Sequence, residues 1–109
     1  MAKQLVFTYD DKQYTLEFTR KTIADMEKNG FVANEVEAKP MTTLPALFRG
    51  AFLAHHKFEK KDVIDKIFSK MTNKEDLIGK LAEMYSEPII SLIEDPVESE
   101  GNVNWTPNF

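Results

Sequence analysis

The 109-residue chain contains no cysteine. That one absence excludes a disulfide framework, a thiolate zinc site and a cysteine nucleophile together, and it fits a reducing compartment. No apolar run approaches the roughly 20 residues that a bilayer span requires. The N-terminal MAKQLVFTYD lacks both the apolar stretch and the small-residue cleavage site of a secretory signal, so the cytoplasm is the expected location. Neither sign of charge dominates: 18 acidic against 14 basic residues, net −4, give no electrostatic reason to seek nucleic acid or an anionic membrane. The four glycines (Gly30, Gly50, Gly79 and Gly101) are isolated, and no phosphate-cradling loop can be built from them.

What remains is the profile of an ordinary folded domain, 42% hydrophobic and 29% charged. A chain of this length makes one domain and buries about two-thirds of its unfolded surface. Residues 4–9 and 14–19 alternate as strands: Leu5, Phe7 and Tyr9 fall on one face, as do Tyr14, Leu16 and Phe18. Folding about Asp11-Lys12 would set Tyr9 opposite Tyr14, Phe7 opposite Leu16 and Leu5 opposite Phe18, giving one buried side. A lone hairpin is marginal in water, so helices or a further strand must cover that side.

The helices follow in order. Residues 20–29 are bounded by Thr19 as N-cap and by Gly30 in the left-handed position past the end, with Phe31 placed to touch Met26. Residues 32–40 are polar and read as a loop that could hold a short edge strand. Residues 42–57 form the most apolar helix, capped by Thr42 or Thr43, with Pro45 in the first turn, where its missing N–H does no harm. Being apolar nearly all round, it is expected at the centre. Gly50 lowers its propensity by about 1 kcal/mol relative to alanine, which close approach by a neighbouring helix or the hairpin would explain. A third helix spans about 60–71, and a fourth starts from Thr72 or Asn73 and should kink or break at Pro88. Ile89, Ile90, Leu92 and Ile93 then continue as a buried turn or two. From Glu94 on, prolines, acids and few aliphatics read as a flexible tail. The expected architecture is α+β: residues 1–94 are one domain, an N-terminal hairpin packed on about four helices, and 95–109 are the acidic tail.

Catalytic groupings do not emerge. His55 and His56 are adjacent, about 100° apart on a helix, whereas helical chelation uses i,i+4 pairs; His55 is expected at the core edge and His56 in water. Each acidic cluster has a local reason in a turn, a loop, a helix start or a solvated face, and none supplies two carboxylates of divergent environment. Ser69, Ser86, Ser91 and Ser99 lack an elbow motif or attached base. Lys57, Lys60, Lys61, Lys66 and Lys70 interleave with Glu59, Asp62 and Asp65, as a solvated face does. No catalytic, metal or cofactor site is expected. Contact with other proteins is instead expected on the exposed side of helix 42–57 (Arg49, Leu53, His56) and at Trp105 and Phe109. Large aromatics of that kind anchor interfaces, although Trp105 could equally fold back onto the domain. The hairpin edge could template pairing with a second copy.

Three stretches, YTLEFTRKTIADMEKNGF at 14–31, PMTTLPALFRGAFLAHH at 40–56 and DLIGKLAEMY at 76–85, resemble a small family from the tail-gene regions of phages and prophages of Gram-positive bacteria. In outline that family resembles the tail assembly chaperones of long-tailed phages. Those have a β-element leading into a helix that ends in E-x-x-G, here Glu27 to Gly30, and then an apolar helix ending near histidine. The resemblance implies a non-enzymatic protein of the host cytoplasm. Its partners would be the tape-measure protein, held soluble while the tail tube polymerises around it, and the tail-tube protein. A structural virion component, such as a head–tail connector or tail-tube protein, and a small enzyme using His55 or His56 are the alternatives.

Overall fold

The hairpin is closed by two consecutive aspartates, Asp10 and Asp11, both in the left-handed region at φ 53° and 63°. That conformation is a two-residue turn whose twist matches the strands, and aspartate tolerates it better than most side chains. In the computed structural model, which describes residues 3–94 and 103–109, β1 (Leu5–Tyr9) pairs antiparallel with β2 (Lys12–Leu16). Leu5 lies opposite Leu16, Phe7 opposite Tyr14 and Tyr9 opposite Lys12. The expected register is therefore corrected by two residues, because the turn sits at Asp10-Asp11 and not at Asp11-Lys12. A shift of two keeps every side chain on its face. Tyr14 and Leu16 are buried, Leu5, Phe7 and Tyr9 half-buried, and Phe7 stacks on Tyr14 at 5.3 Å between ring centroids.

Helix α1 (Arg20–Lys28) begins at Thr19, whose hydroxyl accepts from the Thr22 N–H at 3.1 Å while the Thr22 hydroxyl accepts from the Thr19 N–H at 2.9 Å. Its end is a Schellman arrangement: the Phe31 N–H donates to the Met26 carbonyl, the Gly30 N–H donates to the Glu27 carbonyl, and Gly30 has φ +95°. The Phe31 ring meets Tyr85 edge-on at 5.6 Å. Residues 32–40 hold a short 3-10 turn, Ala33–Glu35, and no strand.

Helix α2 runs Pro40–Gly50, two residues earlier at its start and seven earlier at its end than the sequence suggests. Pro40 occupies the first turn, so Thr42 and Thr43 are not caps and Pro45 lies inside the helix. After Gly50 the bonding tightens: the Phe52 N–H donates to Arg49 and the Leu53 N–H to Gly50, an i to i−3 pattern that closes a helix. The Ala51 carbonyl accepts from the Glu17 N–H at 3.0 Å, so the hairpin takes the group that a continuing helix would have used. Gly50 is approached by α1, and a Cβ there would overlap the Met26 thioether.

Helix α3 (Lys61–Lys70) is followed by α4 (Lys74–Ile93). Asn73 holds the N-cap position of α4 at φ 53° without a side-chain cap bond, and Glu75 and Asp76 stand in the first turn, where the helix dipole favours them. The Lys74 ammonium donates to the Ser69 and Met71 carbonyls at 3.2 and 2.8 Å, closing the end of α3. Pro88 does not end α4, which continues through it to Ile93. The core lies between the hairpin and the helices. Phe18, Phe48, Phe52, Leu16, Ile67 and Leu81 are fully buried there, with Phe48 on Phe52 at 5.1 Å and Phe18 edge-on to Tyr85 at 5.4 Å.

Candidate functional site

Three places in the fold hold the residues that sequence reasoning singled out. The first is the outer edge of β2. In an antiparallel ladder alternate residues turn their N–H groups away from the partner strand, and here Thr15 and Glu17 do so. The Thr15 N–H donates to His56 Nε2 at 3.0 Å, and the Glu17 N–H to the Ala51 carbonyl. His56, expected in water, is thus half-buried against the hairpin, and His55 is the exposed one. The closing turn after Gly50 rotates the segment and exchanges their places. An acceptor at Nε2 requires neutral imidazole with its proton on Nδ1. Burial, then Lys12 and His55, hold the His56 pKa below its ordinary value, with Glu59 opposing.

The groups around it are also engaged. His55 Nε2 lies 2.7 Å from the Glu17 carboxylate. That contact, helped by the Gln4 amide and opposed by burial, holds Glu17 below the usual carboxylate range. The Tyr14 hydroxyl donates to Glu59, and burial together with that bond pushes Tyr14 up to about 12. With its lone pair on Thr15, His56 has no free base position; the cluster seals a sheet edge that would otherwise invite strand pairing.

The second place is a groove of about 370 Å³ between α1 and α2, bordered by Met26, Phe31, Thr43, Ala46, Arg49 and Leu53. Arg49 reaches across to α3, where Nε and Nη2 donate to the two Asp65 oxygens at 2.8 and 3.3 Å. Its planar fork is therefore already matched to a carboxylate. Leu53 is half-buried against the core. Arg49 and Leu53 share this groove, while His56 faces the hairpin.

The third place is the end of α4. Ile89, Ile90, Leu92 and Ile93 were expected to be buried, and they are not: their exposures are 40, 53, 63 and 79%. The described residues leave them largely open because α4, at 20 residues against nine to eleven for the other helices, extends past most of the body. At 100° per residue the four span an arc of roughly 160° around the helix. Residues 95–102, the first part of the expected flexible tail, lie outside the described residues. Residues 103–109 have no regular structure, with Trp105 80% exposed and Phe109 fully so; Trp105 is not folded back onto the core. The exposed apolar end of α4 was not among the expected contact residues; the length of the helical run from 74 to 93 was the signal for it.

No group of three or more histidine, aspartate or glutamate side chains among the described residues is placed to hold a metal ion. No helix among them is long and apolar enough to cross a membrane. Over its full length, residues 1–109, the chain matches the family described as "Domain of unknown function (DUF5055)", and it belongs to that family. No curated protein and no solved structure matches it.

Proposed function

We propose that this domain is a tail assembly chaperone of long-tailed phages. In this reading it acts in the host cytoplasm and binds the tape-measure and tail-tube proteins while the tail is built. The observation that carries the reading is the uncovered end of α4. Burying a leucine or isoleucine side chain is worth about 1.5–3 kcal/mol. Four such side chains left in water on one helical arc are a surface that gains by being covered. A tape measure is a long helical chain with apolar stripes, and helix-on-helix contact is the natural way to cover both partners at once. The resemblance over residues 14–31, 40–56 and 76–85 supports the same assignment.

The test is co-expression of the full chain with the proteins of its gene neighbourhood. Capture of a very long, helix-rich protein that is soluble only when this chain is present is the expected result. Normal tails from a deletion strain, or the chain found as a stoichiometric part of finished particles, would overturn it.

A further inference from the structure

The two strands of the hairpin differ at their outer edges. On β2 the outward N–H groups of Thr15 and Glu17 are taken by His56 and Ala51. On β1, Val6 lies opposite Thr15 and Thr8 opposite Gln13, positions that turn their N–H and carbonyl groups away from the partner strand. Gln4, two residues before Val6, does the same. Among the described residues no backbone group bonds the outward N–H or carbonyl of Gln4, Val6 or Thr8, and their side chains are exposed. Strand edges are ordinarily blunted by lysine, proline, a bulge or a covering segment. The run from Gln4 to Tyr9 holds no charge and no proline, and its pairing with β2 is continuous, without a bulge. The cover of the inner face fades towards the same edge. Tyr14 and Leu16 on β2 are 3 and 0% exposed, while Leu5, Phe7 and Tyr9 on β1 are only half-buried.

We propose that β1 pairs antiparallel with β1 of a second copy about a twofold axis at Val6, joining two two-stranded sheets into one. In this register Val6 meets Val6, and Gln4 meets Thr8 in both directions, so all three outward positions exchange hydrogen bonds. Moving the axis to Phe7 would set Gln4 against Asp10, which is in the turn at φ 53°; moving it to Leu5 would carry Thr8 past Lys3, beyond the described residues. On the inner face Leu5 of each copy comes beside Phe7 of the other, in the closer kind of cross-strand pair. The half-open apolar side chains of β1 thereby gain the neighbour that their own domain does not supply. Antiparallel pairing also sends the two Asp10-Asp11 turns to opposite ends, where parallel copies would set them side by side. The contact is isologous, each copy giving the same strand. It is small beside the roughly 1,600 Å² of a standard interface, so the dimer is weak and forms with concentration. The pairing does not depend on the chaperone reading.

Sedimentation of the full chain between about 5 and about 500 μM should show monomer passing to dimer as concentration rises. Val6→Pro removes a donor that the hairpin's own ladder does not use, and an edge strand tolerates proline there. The thermal midpoint of the monomer should therefore hold while dimerisation weakens by about ten-fold or more, the substitution counting twice by symmetry. Val6→Ala keeps the backbone donor and should weaken pairing by about five-fold at most. Amide exchange on the wild type reads the same geometry without a substitution. Leu5 and Phe7 should be protected at every concentration, and Val6 and Thr8 should slow by about five-fold or more only where dimer forms. Monomer throughout, unchanged exchange at Val6 and Thr8, or wild-type dimerisation by Val6→Pro overturns the proposal. So does Val6→Ala weakening the dimer as much as Val6→Pro, since side chains and not the strand edge then carry the contact. A dimer that Ile90→Asp/Ile93→Asp disperses and Val6→Pro does not would place the contact on α4 and overturn it as well.

Discussion

Replacing His56 with alanine tests whether the turn after α2 is a seal on the sheet edge or merely a connection. The substitution removes the acceptor for the Thr15 N–H at 3.0 Å and a ring packed 4.9 Å from Tyr14. A donor left without its partner costs about 1–3 kcal/mol, toward the lower end here because Thr15 is only half-buried and water can reach it. Loss of the ring contact adds about 0.5–1.5 kcal/mol. Together these make about 2 kcal/mol, or a midpoint lowered by roughly 8–16 °C in a domain of this size. His55→Ala is the control. Its ring is exposed and loses only the 2.7 Å contact to Glu17, so it should cost about 1 kcal/mol at most.

The pH dependence sharpens the test. Free histidine titrates near 6.5, and folding holds His56 below that value. Between the two values the unfolded chain binds more protons, so stability rises with pH. The contribution is fully present above 6.5 and is lost as pH falls from there through the folded value. Urea denaturation across pH 5–8 should therefore show the wild type losing stability on acidification more steeply than His56→Ala, and the gap between them closing. Glu17 acts in a separate window, its contribution being present above the ordinary value of 4.5 and lost only at lower pH. A His56→Ala cost below about 0.5 kcal/mol, or a gap that stays constant with pH, would refute the reasoning.

Further outcomes follow from single contacts. Gly50→Ala gains about 1 kcal/mol of helix propensity but drives a methyl into the buried Met26 side chain. Overpacking of that kind costs about 1–3 kcal/mol, so a net loss of about 1 kcal/mol is expected by denaturant titration, relieved when Met26 is also shortened to alanine. Pro88→Ala restores an N–H facing the Met84 carbonyl and removes about 3 kcal/mol of local helix penalty. Because residues 89–93 are all exposed, the gain should show as amide-exchange protection there, with little change in the thermal midpoint. Tyr14→Phe deletes the hydroxyl held by Glu59 and should cost about 1 kcal/mol. In an ultraviolet titration it should also remove the late step near 12, leaving Tyr85, itself raised by burial, as the remaining late tyrosine.

The parts of the fold set by local chemistry were legible before any coordinates. Thr19 and Gly30 bracket α1 because a hydroxyl and a left-handed glycine solve the two ends of a helix almost without regard to context. Alternation in both strands gave the buried face of the hairpin, but not its register, because Asp10-Asp11 and Asp11-Lys12 both place the same side chains inward. The errors gather where tertiary contact decides. Nothing within 42–57 says that the helix stops at Gly50; the stop comes from the Glu17 N–H, more than thirty positions away in sequence, claiming the Ala51 carbonyl. That stop also separated the expected contact residues, leaving Arg49 and Leu53 on the α1–α2 groove and turning His56 to the hairpin.

The misjudged burial of Ile89 to Ile93 has a different cause. An apolar stripe on a helix states that the stripe is to be covered; it does not state by what. Within α4 the side chains Leu77, Leu81, Met84 and Tyr85 are covered by the body and Ile90, Leu92 and Ile93 are not. At 100° per residue Ile93 and Ile90 turn roughly 135° and 165° away from the centre of the buried stripe, while Leu92 continues it. What separates Leu92 from the stripe is length. At 1.5 Å per residue the 20 residues of α4 extend about 30 Å, while the 9 to 11 residues of α1, α2 and α3 extend about 14–17 Å. Helices of half the length cannot cover the whole of a longer one, so its last turns must project. Apolar side chains on turns that no described residue covers are then a property of the surface and not of the core, and the proposed function draws on that surface.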